Sequence, residues 1–141
     1  MLKKTLISLV LSLGLTTVVV ANEELKKDMG KLSHALGGVQ SGFLTSDKAA
    51  TLKAIATLKK ESMIVLGDKE KITKLLPVDL RYKASIAINS ADIIVKNVDK
   101  IEKILKDKNM RMINRQMRSQ KAFSEIQNQC FRCHNLVRDW Q

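Results

Sequence analysis

Cys130 and Cys133 stand three residues apart, with His134 directly after the second. That spacing suits covalent haem attachment, in which each thiol adds across one vinyl group and the adjoining imidazole binds the iron. The same two thiols could instead form a redox dithiol or half of a zinc site. On a helix each residue advances about 100°, so with Cys130 at zero Cys133 falls at about 300° and His134 at about 40°. Phe123, Ile126 and Val137 share that sector, so the three chemical groups are expected to point into a core. A zinc site would need two more ligands, yet there is no third cysteine, and the only other histidine is His34. Redox dithiols usually follow a strand at a helix N-terminus, where the dipole lowers the thiol pKa. Here the pair lies near the end of a long helical stretch.

A haem iron bound by His134 has a sixth position. Leu25, Met29, Leu32, Leu36, Val39 and Phe43 repeat at alternating spacings of four and three, forming one apolar stripe on a first helix. Met29 lies inside this stripe and His34 points away from its centre. Met29 is therefore the candidate axial ligand, set against the plainer reading of a methionine that fills the core. Thioether ligation raises the reduction potential and suits electron transfer. His34 reads as a solvent-facing histidine. Met63, Met110, Met112 and Met117 read as packing residues, and Tyr82 and Trp140 as aromatics whose polar atoms reach the surface.

The elements that must position these groups are all helical, because apolar residues recur at helical spacing and alternating strand-like runs are absent. Asn22 is expected to cap a first helix running to about Leu44. Thr45, Ser46 and Asp47 turn the chain into a second helix, Lys48 to Leu66, ended by Gly67. The segment from Asp68 to Val78 holds the only proline, Pro77, and reads as an extended connection with room for a helical turn over Glu70 to Leu75. Asp79 is expected to cap a third helix reaching about Lys106. Leu80, Ala84, Ala87, Ala91, Ile94, Val98, Ile101 and Leu105 form its seam. After a turn at Asp107 to Asn109, a fourth helix, about Met110 to Trp140, carries the cysteines. Long helices with short connections predict an all-α, antiparallel up-down-up-down four-helix bundle, with haem bound near the C-terminal helix.

The start of the chain reads differently. Lys3 and Lys4 precede an apolar run from Leu6 to Val20, and Val19 and Ala21 are small residues where a signal peptidase reads. Residues 1–21 are expected to be a secretory signal, and 22–141 one domain of 120 residues. A permanent membrane span would need about 20 apolar residues, so none is expected after cleavage. Export implies an oxidising compartment, a periplasm and hence a Gram-negative bacterium. Cysteines three apart on one helical face would close almost no loop as a disulfide, so haem attachment explains them better.

The chain carries a formal charge of +11; without Lys3 and Lys4, 23 basic residues face 14 acidic ones, or +9. The basic residues are spread over every helix and aromatics are only 4%, which argues against a nucleic-acid partner. A solvated basic surface favours redox partners with acidic faces or an anionic membrane surface. No carboxylate pair or nucleophile with its base is recognisable, so no enzyme is expected. Gly30, Gly37, Gly38 and Gly42 lie mostly off the first helix's stripe and read either as letting a second copy's first helix approach in a homodimer or as a glycine-weakened helix near a mobile ligand.

A signal segment, four helices and a C-terminal Cys-x-x-Cys-His together resemble the class II cytochromes c, the cytochrome c prime family and its low-spin relatives. In that family a basic residue follows the histidine by four positions, which implies that Arg138 neighbours the haem. The family's distal residue stands three before one apolar position and seven before another, the register of Met29 with Leu32 and Leu36. Methionine there implies a six-coordinate electron carrier; an aliphatic or aromatic residue implies a five-coordinate protein that binds nitric oxide or carbon monoxide. Leu25 stands where the family often has an arginine that reaches a propionate, leaving Lys26 or Lys27 as substitutes. Leu25, Leu32 and Phe123 are the apolar side chains expected against the haem. A haem-free thiol redox or scaffold bundle is the remaining alternative.

Overall fold

A computed structural model describes the backbone of residues 5–137 and the side chains of residues 23–136. The chain folds as five α-helices: α1 (Thr5–Leu44), α2 (Lys48–Leu66), α3 (Lys69–Leu75), α4 (Ala84–Lys106) and α5 (Met112–Val137), with a 3-10 segment over Val78–Lys83. The four long helices form an antiparallel up-down-up-down bundle, and no strand occurs among the described residues. Lys59 of α2 pairs with Asp99 of α4 at 2.6 Å, and the Lys83 ammonium at the start of α4 donates to the Leu136 carbonyl at the end of α5 at 2.5 Å. These cross-links fix the antiparallel registers.

Local chemistry explains most element boundaries. The Asp47 carboxylate accepts from the Ala50 N–H at 2.9 Å, capping α2, while Ser46 takes the left-handed conformation that turns the chain (φ 54°). Gly67 ends α2 in a right-handed conformation, with its N–H on the Met63 carbonyl. Glycine is needed there for space, because a Cβ would lie 2.5 Å from that carbonyl oxygen.

Three expectations are corrected. Asn22 does not cap α1, because the helix begins at Thr5 and the preceding apolar run contains no proline to stop it. Asp79 does not cap the third long helix: Pro77 holds an extended ψ and the Leu80 N–H bonds the Pro77 carbonyl, so the chain enters through a tight 3-10 turn. Regular α4 then starts at Ala84. Met63, Met112 and Met117 are exposed and do not pack; Met110 is half-buried. In the connection after α2 the helical turn expected over Glu70 to Leu75 is present as α3, capped by Asp68, whose carboxylate accepts from the Lys71 N–H at 3.0 Å.

The α4 seam is buried along its whole helical length, from Ala84 to Leu105, with Leu80 half-buried before it. Its composition changes along the way: Ala84, Ala87 and Ala91 near the start, then Ile94, Val98, Ile101 and Leu105. The large half fills the bundle together with Val39, Ile55, Leu58 and Ile126, each at most 2% exposed. The small half leaves room. On α1 the stripe is buried outright only at Val39, while Leu25, Met29, Leu32, Leu36 and Phe43 are half-buried. The backbones of α1 and α2 lie close, as do those of α4 and α5, but α1 and α5 do not approach closely. They meet through Phe43 and Phe123, whose ring centroids are 5.6 Å apart. Among the described residues no helix is long and apolar enough to cross a membrane.

An ion cluster centred on the buried Asp28 ties α3 to α1. Asp28, 4% exposed, accepts from Lys31 at 2.7 Å and from Lys71 at 2.8 Å, and Glu24 lies 3.7 Å from Lys71. The hydrogen bonds from Lys31 and then Lys71 hold the Asp28 carboxyl below the usual aspartate range. A depressed folded-state pKa contributes stability that is present above the unfolded value of about 3.9 and lost as pH falls through the folded value. Thermal unfolding should therefore show a stability loss on acidification below about pH 4 that is smaller in Asp28→Asn. At neutral pH Asp28→Ala should cost about 1–2 kcal/mol, less than a fully buried pair because Lys71 can rehydrate.

Candidate cofactor site

The open end of the bundle holds two adjoining cavities. One, of about 370 Å³, lies between α1, the α3 connection and the starts and ends of α4 and α5; Leu25, Lys26, Met29, Ile72, Ala87 and His134 line it. The other, of about 230 Å³, runs further into the bundle, lined by Met29, Leu32, Leu36, Leu58, Cys130 and His134 among others. Met29, Leu66, Cys133 and His134 border both. Small ligands and cofactors occupy spaces of about 300–1,000 Å³ lined mainly by apolar side chains with a few polar groups, and this cleft has that character.

The helices that carry these groups explain their convergence. Cys130, Cys133 and His134 lie on the last turns of α5, where Cys133 is buried at 7% exposure and Cys130 and His134 are half-buried. Met29 approaches from α1 across the gap that the alanines of α4 and the distance between α1 and α5 leave. Of the residues singled out in the sequence, Met29, Leu25, Leu32, Cys130, Cys133 and His134 are thus brought together. Phe123 is not: it packs in the core on Phe43, two helical turns below Cys130, and lines neither cavity. His34 is exposed. Arg138 and Trp140 lie outside the described residues. Lys26, rather than Lys27, stands at the cleft's edge.

Several lining residues carried no signal taken up from the sequence. Leu66, Ile72, Leu76 and Pro77 close the cleft from the α2–α4 connection, a segment whose path local pattern does not give. Ser90 of α4 borders the inner cavity together with Cys133. Of the alanines on the α4 seam, Ala87 borders the outer cavity, while Ala84 and Ala91 are packed in the core.

Both thiols are poorly suited to ionise in the haem-free chain. Burial pushes the Cys133 thiol up, opposed by the Ser90 hydrogen bond; burial, followed by the neighbouring Cys133, pushes Cys130 up. Redox dithiols need the opposite environment. Among the described residues no three His, Cys, Asp or Glu side chains cluster to hold a metal ion by themselves. A haem needs no such cluster, because the macrocycle supplies the equatorial ligands. Two thiols, an imidazole and a thioether around one apolar cleft, with a lysine at its edge, are the donor set a c-type haem takes.

Comparison of the chain with protein-family models, with curated proteins and with solved structures returns no match.

Proposed function

We propose that the chain is an exported monohaem c-type cytochrome of the class II kind, carrying single electrons between protein partners in the periplasm. The observation that carries this reading is the convergence of Met29 from α1 with Cys130, Cys133 and His134 from α5 on one apolar cleft. Bound there, a haem supplies a one-electron iron couple. Cys130 and Cys133 would hold it through thioether bonds, each sulfur bonding to a vinyl carbon while the thiol hydrogen goes to the neighbouring carbon. His134 and Met29 would take the axial positions. Leu25, Leu32 and Leu36, which line the cleft, would keep water from the bound group. Lys26, at the cleft's edge, would meet a propionate in the role that the family gives to an arginine, and the resemblance implies Arg138 on the proximal side. Residues 1–21 would direct export and be removed.

Partners with acidic surfaces fit the net positive charge. Phe131, 64% exposed between the two cysteines, gives them an apolar contact beside the cleft. Pairing of two copies through α1 would have to use Gly30 and Gly37, whose surroundings are open, because Gly38 and Gly42 face α2. Co-expression with a c-type haem-maturation system should yield a protein with a c-type reduced absorption spectrum. A colourless, folded product would contradict the proposal.

The thiol redox alternative makes a different prediction. In the haem-free chain at neutral pH, alkylation of Cys130 and Cys133 should be about tenfold or more slower than in the denaturant-unfolded chain, since reactivity follows thiolate fraction and access. Alkylation faster than in the unfolded chain would favour a redox dithiol.

A further inference from the structure

The end of the bundle opposite the cleft carries a surface that electron transfer through the haem does not use. The first turns of α5 expose Met112 at 78%, Ile113 at 56% and Met117 at 62%. Ile113, Met117 and Lys121 stand four residues apart in one column, turned away from the buried Ser119, Ala122 and Ile126. Between residues 108 and 121 the chain has no acidic residue. Of its five basic residues Lys108, Arg111, Arg118 and Lys121 are exposed, whereas Arg115 is half-buried with its guanidinium on the Met110 carbonyl. The first turn of α5 has no acidic side chain either, so the positive end of its dipole adds to the field there.

We propose that this apolar, cationic face is a docking surface for an anionic lipid bilayer, which holds the protein at the membrane surface. Basic side chains near such a surface are attracted to acidic headgroups, and apolar side chains among them enter the interface without spanning it. A lipid surface is favoured over a protein partner because the two methionines and the isoleucine are exposed among exposed basic side chains, a mixture of apolar and cationic groups that an anionic bilayer interface accommodates. Fluid lipid moulds itself around such projections, whereas a protein partner would need a preformed hollow that is both apolar and acidic. A second copy is disfavoured because it would bring the same basic residues face to face. From Met117 to His134 α5 rises by about 25 Å, so a bilayer at this end leaves the cleft free. The inference stands on the surface alone and does not require haem in the cleft.

The test is sedimentation of the full chain with vesicles of phosphatidylcholine alone and of equal parts phosphatidylglycerol and phosphatidylcholine. Wild type and variants share the same N-terminus, so any contribution of the apolar run before residue 21 cancels in the comparison. The expected result is a preference for the anionic vesicles that fades with added salt. The triple variant Arg111→Gln, Arg118→Gln, Lys121→Gln should lower anionic-vesicle partition by about a hundredfold. The separate triple variant Met112→Ser, Ile113→Ser, Met117→Ser should lower it by about tenfold or more. Helicity should match wild type in both, since all six side chains are on the surface. Equal partition onto both vesicles, or partition that neither variant changes, would overturn the proposal. So would binding to immobilised polyglutamate without binding to vesicles, which would assign the face to an acidic protein, or a wild-type dimer that the serine variant dissociates, which would assign it to a second copy.

Discussion

Replacing Met29 by alanine in the haem-loaded protein is expected to convert a low-spin iron to a high-spin one. The oxidised spectrum should lose its methionine-to-iron charge-transfer band, and the reduced protein should take up carbon monoxide readily. Met29 lies at the boundary of both cavities with His134, so truncating it removes the one sulfur that α1 offers to the cleft. The reduction potential should fall as well, because a thioether ligand raises it. Truncation of a fully buried methionine costs about 2–5 kcal/mol; Met29 is half-buried, and about 1–2 kcal/mol is expected. Met29→Leu separates ligation from packing, since it restores most of the volume without the sulfur. It should recover much of the stability and none of the charge-transfer band. A wild-type protein that is already high-spin, with a spectrum Met29→Ala leaves unchanged, would make Met29 a packing residue and favour the gas-binding alternative. His34→Ala should change neither spectrum nor potential.

The largest stability effect is expected at Gly42. Alanine in place of glycine within a helix ordinarily gains about 1 kcal/mol. A Cβ on Gly42 would lie 2.4 Å from Thr51 Oγ1, 2.9 Å from Thr51 N and 3.0 Å from Thr51 Cα. The hydroxyl, which donates to the Asp47 carbonyl at 2.7 Å, can rotate away, but the backbone of the first turn of α2 cannot move without displacing the α1–α2 turn. Steric displacement of this kind costs about 1–3 kcal/mol beyond the helix gain, so Gly42→Ala should be destabilising and Gly42→Val more so. A drop in melting temperature on the order of 5–10 °C is expected for valine. Gly37, whose Cβ would meet nothing within 4 Å, is the control. Gly37→Ala should raise stability by about 0.5–1 kcal/mol. Gly42→Ala as stable as Gly37→Ala, by chemical denaturation, would refute the close α1–α2 packing.

These two sites also show how far sequence reasoning reaches. Met29 was legible because its stripe obeys helical phase, a property of one helix alone. Cys130, Cys133 and His134 were legible for the same reason. The seam of α4 and the cap at Asp47 depend on neighbours within a few residues, and the structure has them where spacing puts them. Gly42 was read as lying off the core; that Gly38 and Gly42 admit α2 depends on a second helix's position, which α1's own pattern does not encode. Asp28 was missed on similar grounds. It neighbours an apolar stripe and would ordinarily be solvated, but Lys71 reaches it from 43 residues away on a different helix. The helical turn expected over Glu70 to Leu75 is present as α3, capped by Asp68, and Pro77 shapes the entry to the 3-10 turn after it. The exposed Met112 and Met117 failed for the opposite reason, because apolar character alone does not say that a neighbour covers it.

The most direct test of the proposed function is the intact mass of the protein produced with a c-type haem-maturation system, followed by the mass of the peptide containing Cys130 to His134. One haem retained under denaturing conditions, carried by that peptide and absent from the Cys130→Ser, Cys133→Ser double variant, is the predicted result. A chain that binds no haem, or loses all of it on denaturation while both thiols remain free to alkylate, would contradict it.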